Sequence, residues 1–326
     1  MTESRLLEAV GTGDRSARGV DLTRRQREVA TVIRELLGCP ENGVRVGERL
    51  AHAVTRVYLE NASVIVKRLK PAAGRMNELV ATRWLPAVGL ERLAVKPLAS
   101  KVDPDGTRAW LVYEDLGDST LATCPEQAEA AVEAVAQLHA RLAGHYLLAE
   151  CRLAGQSRGG DFHASSFKDA VTALCALRPE TRERSILRQW LLECLAAPVS
   201  AVDAPETLLH GDLWTTNILP GPRLIDWDKA GVGPLTYDLG TLLSKFPTAR
   251  RERLLALYLD GISALAWAPP SGGELNRIFE ASQRARLAQD VIWITLGLLK
   301  GDDVDWHWSE LARRREWLEE LEPVIP

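Results

Sequence analysis

The chain has 326 residues but only five cysteines, Cys39, Cys124, Cys151, Cys175 and Cys194. They are scattered, with no C-x-x-C pair and no histidine at zinc-ligand spacing. This pattern excludes a zinc module or a disulfide framework, and the odd count fits reduced thiols. A basic excess is also missing. Lys and Arg total 40 against 44 Asp and Glu, a formal charge of -4 with a pI near 6.0, so no nucleic-acid partner is indicated. No apolar run reaches the roughly eighteen residues of a membrane span. Met1 to Ser16 is charged and lacks the apolar centre of a secretory leader. These absences predict a cytoplasmic protein without membrane or nucleic-acid partners. The sequence has no internal repeat, no G-x4-G-K-[ST] and no G-x-G-x-x-G, which disfavours a P-loop NTPase.

What is present begins with 46% hydrophobic and 26% charged residues, ordinary for a globular protein and enough for two lobes with their own cores. Val29, Ile33, Leu36 and Leu37 recur at helical spacing between Asp21 and Leu37, and Gly38 stands where a C-cap would. Short β-rich runs follow at Val44 to Val46, Val54 to Leu59 and Ser63 to Leu69, the last two joined at Glu60-Asn61-Ala62. A helix is expected from about Arg75 to Leu85, ending at Pro86. Two more strands follow, about Val95 to Val102 and Ala109 to Tyr113, with a turn at Asp105-Gly106. Beyond Glu114 to Ser119 helical periodicity dominates, over Gln127 to His145, twice between Asp161 and Leu195, and then at Thr236 to Lys245, Arg250 to Ile262, Glu274 to Lys300 and Trp306 to Leu321. The predicted fold class is α+β. A small five-stranded antiparallel N-lobe with one inserted helix (residues 1–116, led by the helix at about 21–37) precedes a larger, mainly helical C-lobe (117–326).

One stretch interrupts the helical half. His210-Gly211-Asp212-Leu213-Trp214-Thr215-Thr216-Asn217 is followed, nine residues after its Asn, by Asp226 at the end of the apolar run Leu224-Ile225. Taken singly, each of these residues is ordinary turn chemistry. Taken together they match phosphoryl transfer from ATP. Asp212 would orient an acceptor hydroxyl and accept its proton late, and Asn217 and Asp226 would supply hard oxygen ligands to Mg2+.

The motif His-Gly-Asp-x4-Asn, with Ile225-Asp226-Trp227-Asp228-x-Ala-Gly-x-Gly-Pro-x-x-Tyr237-Asp238-Leu239-Gly240, resembles the aminoglycoside phosphotransferase and choline kinase superfamily, small-molecule relatives of protein kinases. The resemblance implies a protein-kinase-like two-lobed fold, ATP as phosphoryl donor with GTP as the alternative, and Mg2+. It implies that a strand lysine, Lys67, binds the phosphates and pairs with a helical carboxylate. Glu78 is the only acidic residue between Lys67 and Pro86. It further implies a hinge at Glu114 to Leu116 whose backbone reads the adenine edge, a catalytic loop organised by His210, and a structural brace at Asp238. Asp228 ranks below Asp226 as a metal ligand. His139 matches a family helix motif, and core packing is its preferred reading.

The sequence departs from the family pattern between the first two strands, where Gly47-Glu48-Arg49-Leu50-Ala51-His52-Ala53 would have to cover the phosphates with a single glycine. It departs from protein kinases as well. Trp214 replaces the usual lysine after the catalytic Asp, and no activation segment or Ala-Pro-Glu follows Asp226. The expected acceptor is therefore a hydroxyl of a small polar molecule, an aminoglycoside-like antibiotic for preference. An amino sugar, fructosamine, choline or homoserine is the alternative within enzymes, and a non-catalytic nucleotide binder is a second alternative. Trp293, Trp306 and Trp308 could make a platform for a sugar or cation, with Asp290, Asp302, Asp303 and Asp305 drawing a polyamine. Core packing and solvated turns are their plainer readings. A monomer or homodimer is expected.

Overall fold

The computed structural model describes residues 23–51, 53–159, 161–178, 180–196, 204–301, 304–319 and 322–325. The chain divides into two compact units, one made of the residues up to Pro125 with Thr216–Asp228, the other of Glu126–Thr215 with Lys229 onward.

The first unit opens with α1, Arg24–Leu37. Thr23 and Gln26 cap it reciprocally, and Gly38 closes it in the left-handed conformation (φ 67°), which costs glycine least. Strands β1 (Arg45–Ala51), β2 (Val54–Tyr58), β3 (Ser63–Leu69), β4 (Ala99–Val102) and β5 (Ala109–Glu114) form one antiparallel sheet in the order β1-β2-β3-β5-β4. The meander β1-β2-β3 follows from alternating apolar residues with a tight turn at Leu59 and Ala62. Val57, Val64, Val66, Trp110 and Val112 point to the same face and bury the α1 residues Val29, Val32 and Ile33.

Three boundaries differ from the sequence expectation, each for a local reason. β1 continues to Ala51, so the segment expected to be a phosphate-covering turn is mostly strand. Gly47 lies within it, and a Cβ there would collide with the Tyr58 ring and the Arg56 carbonyl. Its glycine thus serves strand approach. His52 is outside the described residues. The expected helix starts earlier, as α2 (Pro71–Leu79), with Pro71 favourable at the first position. It then passes through a π-turn at Val80–Trp84 and a last α-turn at Leu85–Ala87. Pro86 is accommodated at the start of that last turn, where its missing N–H costs little. Finally, the fourth strand is only Ala99–Val102; Ala94 makes a single bridge to Leu224.

The second unit is helical, with α3 (Ala128–Leu142), α4 (Leu147–Ala154), β6 (Gln156–Ser157), α5 (Phe162–Ala176), α6 (Arg182–Ala196), β7 (Glu206–Leu209), β8 (Gly231–Pro234), α7 (Thr236–Leu243), α8 (Thr248–Gly261), α9 (Gly272–Lys300) and α10 (Val304–Glu319). Its three strands pair in the order β6-β8-β7. Phe167, Leu174, Leu187, Leu191, Ala288, Val291 and Ile294 knit α5, α6 and α9 into one core. Among the described residues no helix is long and apolar enough to cross a membrane.

Candidate functional site

In the first unit a two-stranded hairpin, Ile218–Leu219 against Arg223–Leu224, brings Asn217 and Asp226 together across nine residues of sequence. Gly221 (φ 80°) lies in its turn. The Ile225 amide donates to the Asn217 carbonyl at 3.0 Å, so the chain enters Asp226 beside Asn217. Asp226 itself has left-handed backbone (φ 68°), a conformation Asp tolerates better than most residues and one that marks functional loops.

Lys67 reaches this loop from β3. Its Nζ donates to Asp226 Oδ1 at 2.6 Å and to Asp228 Oδ1 at 2.9 Å. Burial pulls the ammonium pKa down, but the two carboxylates outweigh it and hold it above the ordinary lysine value. Burial, with Asp226 close by, raises Asp228. Two carboxylates share one lysine, so the cluster carries an excess of negative charge. Among the described residues no group of three or more His, Cys, Asp or Glu converges as a metal cage. A cation here would lean on few protein ligands, and Asn217 with Asp226 is such a set, the kind Mg2+ takes.

The helical partner implied for Lys67, Glu78, is engaged elsewhere, accepting from the Ser100 hydroxyl of β4. Its neighbour on α2, Asn77, faces the loop instead. Asn77 Nδ2 donates to Asp228 Oδ1 at 2.6 Å and to the Ala73 carbonyl at 2.9 Å, while its Oδ1 accepts from the Trp227 amide at 3.2 Å. One residue along an α-helix turns the side chain by about 100°. An elimination argument on acidic residues could not find an amide. The only sequence signal for Asn77 is a polar residue beside the apolar Met76.

Lys67, Asn217 and Asp226 line a cavity of about 510 Å³ whose apolar walls include Val54, Ile65, Tyr113 and Leu224. Glu114 and Leu116, expected to form a hinge, are among its lining residues. Arg56 on β2 ties that segment down. It bonds Asp115 at 2.7 Å, Asp118 at 2.6 Å and Glu48 at 2.5 Å, and Ser63 adds a bond to Asp115.

Asp212 belongs to the second unit. It follows Gly211 (φ 80°), where a Cβ would strike the Lys229 carbonyl and the Arg158 guanidinium. No side chain fits there. The buried Asp238 carboxylate accepts from the His210 amide at 2.6 Å and the Gly211 amide at 3.0 Å. His139 Nε2 lies 3.6 Å from Asp238, too far for a hydrogen bond, and its Nδ1 meets the Tyr258 hydroxyl at 2.5 Å. His139 is thus a buried core residue joined to Tyr258. The Asp212 amide donates to His210 Nδ1 at 3.3 Å. The Asp212 carboxylate accepts from Trp214 Nε1 at 2.9 Å and lies 3.3 Å from Lys229 Nζ.

The tryptophans of the C-terminal helices stand in different surroundings. Trp293 and Trp306 are largely exposed, 5.6 Å apart edge to face, and Trp308 packs on the helical core. Asp290 is spoken for by Arg314 at 3.1 Å and Lys229 at 3.6 Å. Asp305 is exposed; Asp302 and Asp303 lie outside the described residues. The aromatic surface next to Asp212 is instead Trp214 with Trp317, ring centres 5.9 Å apart. Both line a cavity of about 290 Å³ with Lys245, Asp290, Arg313 and Arg314. Lys229, Lys245, Arg286 and Trp317 lie outside the motif's recognised positions, so only folding gathers them.

The fold is that of the protein-kinase-like small-molecule kinases. Residues 45–275 match the phosphotransferase enzyme family. The chain belongs to that family. No curated protein matches the sequence. Among solved structures, a spectinomycin phosphotransferase in complex with ADP and spectinomycin is 12% identical over 92% of this chain and 95% of its own, with a TM-score of 0.60. An aminoglycoside 2'-phosphotransferase bound to GDP is 14% identical over 90% and 99%, also at 0.60. A choline kinase from Streptococcus pneumoniae is 20% identical over 92% and 100%, at 0.57.

Proposed function

We propose that the protein transfers the γ-phosphoryl group of ATP, with GTP as the alternative donor, to a hydroxyl of a small polar molecule, using Mg2+. The observation that carries this reading is the cluster of Lys67, Asp226, Asp228 and Asn77 lining or flanking a cavity of about 510 Å³ that is otherwise largely apolar. An apolar slot ending in a lysine and excess carboxylate oxygen suits a flat base joined to a metal-bound polyphosphate. It suits little else.

In this reading the backbone at Glu114 and Leu116 receives the adenine edge. Lys67 binds phosphate oxygens, and Asn217 and Asp226 hold Mg2+. The bound cation would neutralise the charge of the transferring group. Asp212, fixed by Trp214 and Lys229, orients the acceptor hydroxyl and takes its proton; positioning and charge stabilisation dominate such reactions, so an ordinary carboxylate is adequate. Glu78 bonds Ser100 and does not hold Lys67.

Asp212→Ala should abolish Mg2+-dependent ADP release while Mg-ADP still binds. Unchanged turnover would refute the assignment. Absence of Mg2+-dependent nucleotide binding in calorimetry would remove the kinase reading altogether, leaving a scaffold of kinase ancestry. For the acceptor, the resemblance favours an aminoglycoside-like antibiotic, which would make the protein a resistance enzyme. An amino sugar, fructosamine, choline and homoserine are the metabolic alternatives. These compounds differ in charge, and the second unit's pocket bears on that choice.

A further inference from the structure

Trp214 and Trp317 offer the aromatic faces on which a substrate cation would dock, but the protein's own cations already sit there. Lys245 Nζ is 4.0 Å from the Trp214 ring centre and 5.3 Å from that of Trp317. Arg286 Cζ is 3.8 Å and 5.2 Å from the same two rings. A quaternary ammonium or protonated amine gains from such rings only by displacing these groups.

Three of the carboxylates nearby are also taken. Asp212 faces Lys229 at 3.3 Å, Asp290 faces Arg314 at 3.1 Å, and Glu310 faces Arg313 at 2.5 Å and Arg314 at 2.9 Å. Glu316 lines the cavity as an exposed residue. On the positive side the account does not close. Arg286 is 2% exposed, and among the described residues none of its three guanidinium nitrogens has a hydrogen-bond partner; the nearest carboxylate oxygen among them, on Asp212, is 3.9 Å away. Lys245 is half-buried and, among the described residues, makes no ion pair. Buried cations without acceptors are costly, and two sharing one aromatic cradle repel each other. A ligand with negative charge relieves both penalties.

We propose that the acceptor phosphorylated beside Asp212 carries an anionic group, a carboxylate or phosphate, and that Lys245 receives it against Trp214 and Trp317. The inference rests on the kinase reading for the transfer itself, but anion binding at Lys245 stands independently of it. Burial and the neighbouring Arg286 and Arg251 lower the Lys245 pKa to about 8, as expected of an ammonium lacking a counter-charge. Acceptors of the hydroxy acid or sugar phosphate class fit this site, and a polycation does not.

The test is a thermal-shift titration of the full chain with gluconate, glucose 6-phosphate and inorganic sulfate against kanamycin and choline, on the wild type, Lys245→Met and Lys245→Arg. One or more anions should stabilise the wild type and Lys245→Arg, with the midpoint concentration raised about tenfold in Lys245→Met, the loss of one charge-assisted contact. Gluconate separates a carboxylate requirement from the phosphate one read by glucose 6-phosphate. No shift with any anion, an equal shift in Lys245→Met, or a shift with kanamycin or choline alone would overturn the proposal. Calorimetry with Mg-ADP on the same wild-type preparation reports the kinase reading separately, so the two can fail one without the other.

Discussion

Lys67 and Asp226 are 159 residues apart in sequence and 2.6 Å apart in the fold. The contact places a β3 ammonium against a carboxylate that the resemblance assigns to metal. Lys67→Ala would leave Asp226 and Asp228 facing each other without a cation. Because Asp226 is 41% exposed, solvent screens part of the repulsion, and the expected loss is about 1–3 kcal/mol. Mg2+ should restore more stability to Lys67→Ala than to the wild type in denaturant titrations, since a divalent cation relieves the same repulsion. Equal Mg2+ effects would argue against metal at Asp226.

Asn77 fastens α2 to the Asp226 loop through two hydrogen bonds, to the Asp228 carboxylate and from the Trp227 amide. Asn77→Ala should cost about 1–3 kcal/mol, because the Trp227 amide loses its acceptor. It should also weaken Mg-ADP binding in calorimetry. Glu78→Gln, one residue on, should leave that affinity within about twofold, less than the 1.4 kcal/mol of a tenfold change. The opposite ranking would return the pairing role to Glu78.

Asp238 accepts two backbone N–H groups at full burial. Burial would raise its pKa, but its hydrogen bonds and the nearby His139, His210 and Arg158 prevail and hold it below the ordinary 3.8. Its stabilisation is therefore complete above about pH 3.8 and drains as pH falls toward the lower folded value. Asp238→Asn should lose about 1–3 kcal/mol at neutral pH and flatten the acid limb of the stability curve. An unaltered acid limb would contradict this account.

Lys245 titrates in the folded protein near pH 8 and in the unfolded chain near 10.5. Between these values the unfolded chain binds more protons, so stability should rise with pH. Lys245→Met should remove that slope. Affinity for an anionic acceptor should fall over the same rise, as Lys245 loses its charge. A pH-independent affinity across pH 7 to about 9 would exclude Lys245 as the anion receptor.

Much of the fold was legible because the signals are local. Alternation in Val64-Ile65-Val66 specifies a strand with Lys67 on the face of Ile65, and Gly38 stops α1 through its left-handed backbone. The motif residues were legible for a different reason. Asp212, Asn217, Asp226 and Asp238 lie within 27 residues of sequence, and Gly211 is fixed by a steric requirement on its own backbone. Even there, the length of β1 was misjudged, because Gly47 reads as a turn residue until Tyr58 is seen packed over it.

Sequence alone determined most of the secondary elements and the antiparallel sheet, since each depends on residue type at short spacing. Tertiary structure alone decided which side chains face them. Asn77 rather than Glu78 reaches Asp228 because helix rotation, not composition, aims a side chain. Lys245, Arg286 and Trp317 gather with Trp214 because α9, α10 and the turn after α7 converge there. Long-range packing of this kind leaves no periodic trace in the chain, and it is packing that gathers the cations beside Trp214 and Trp317.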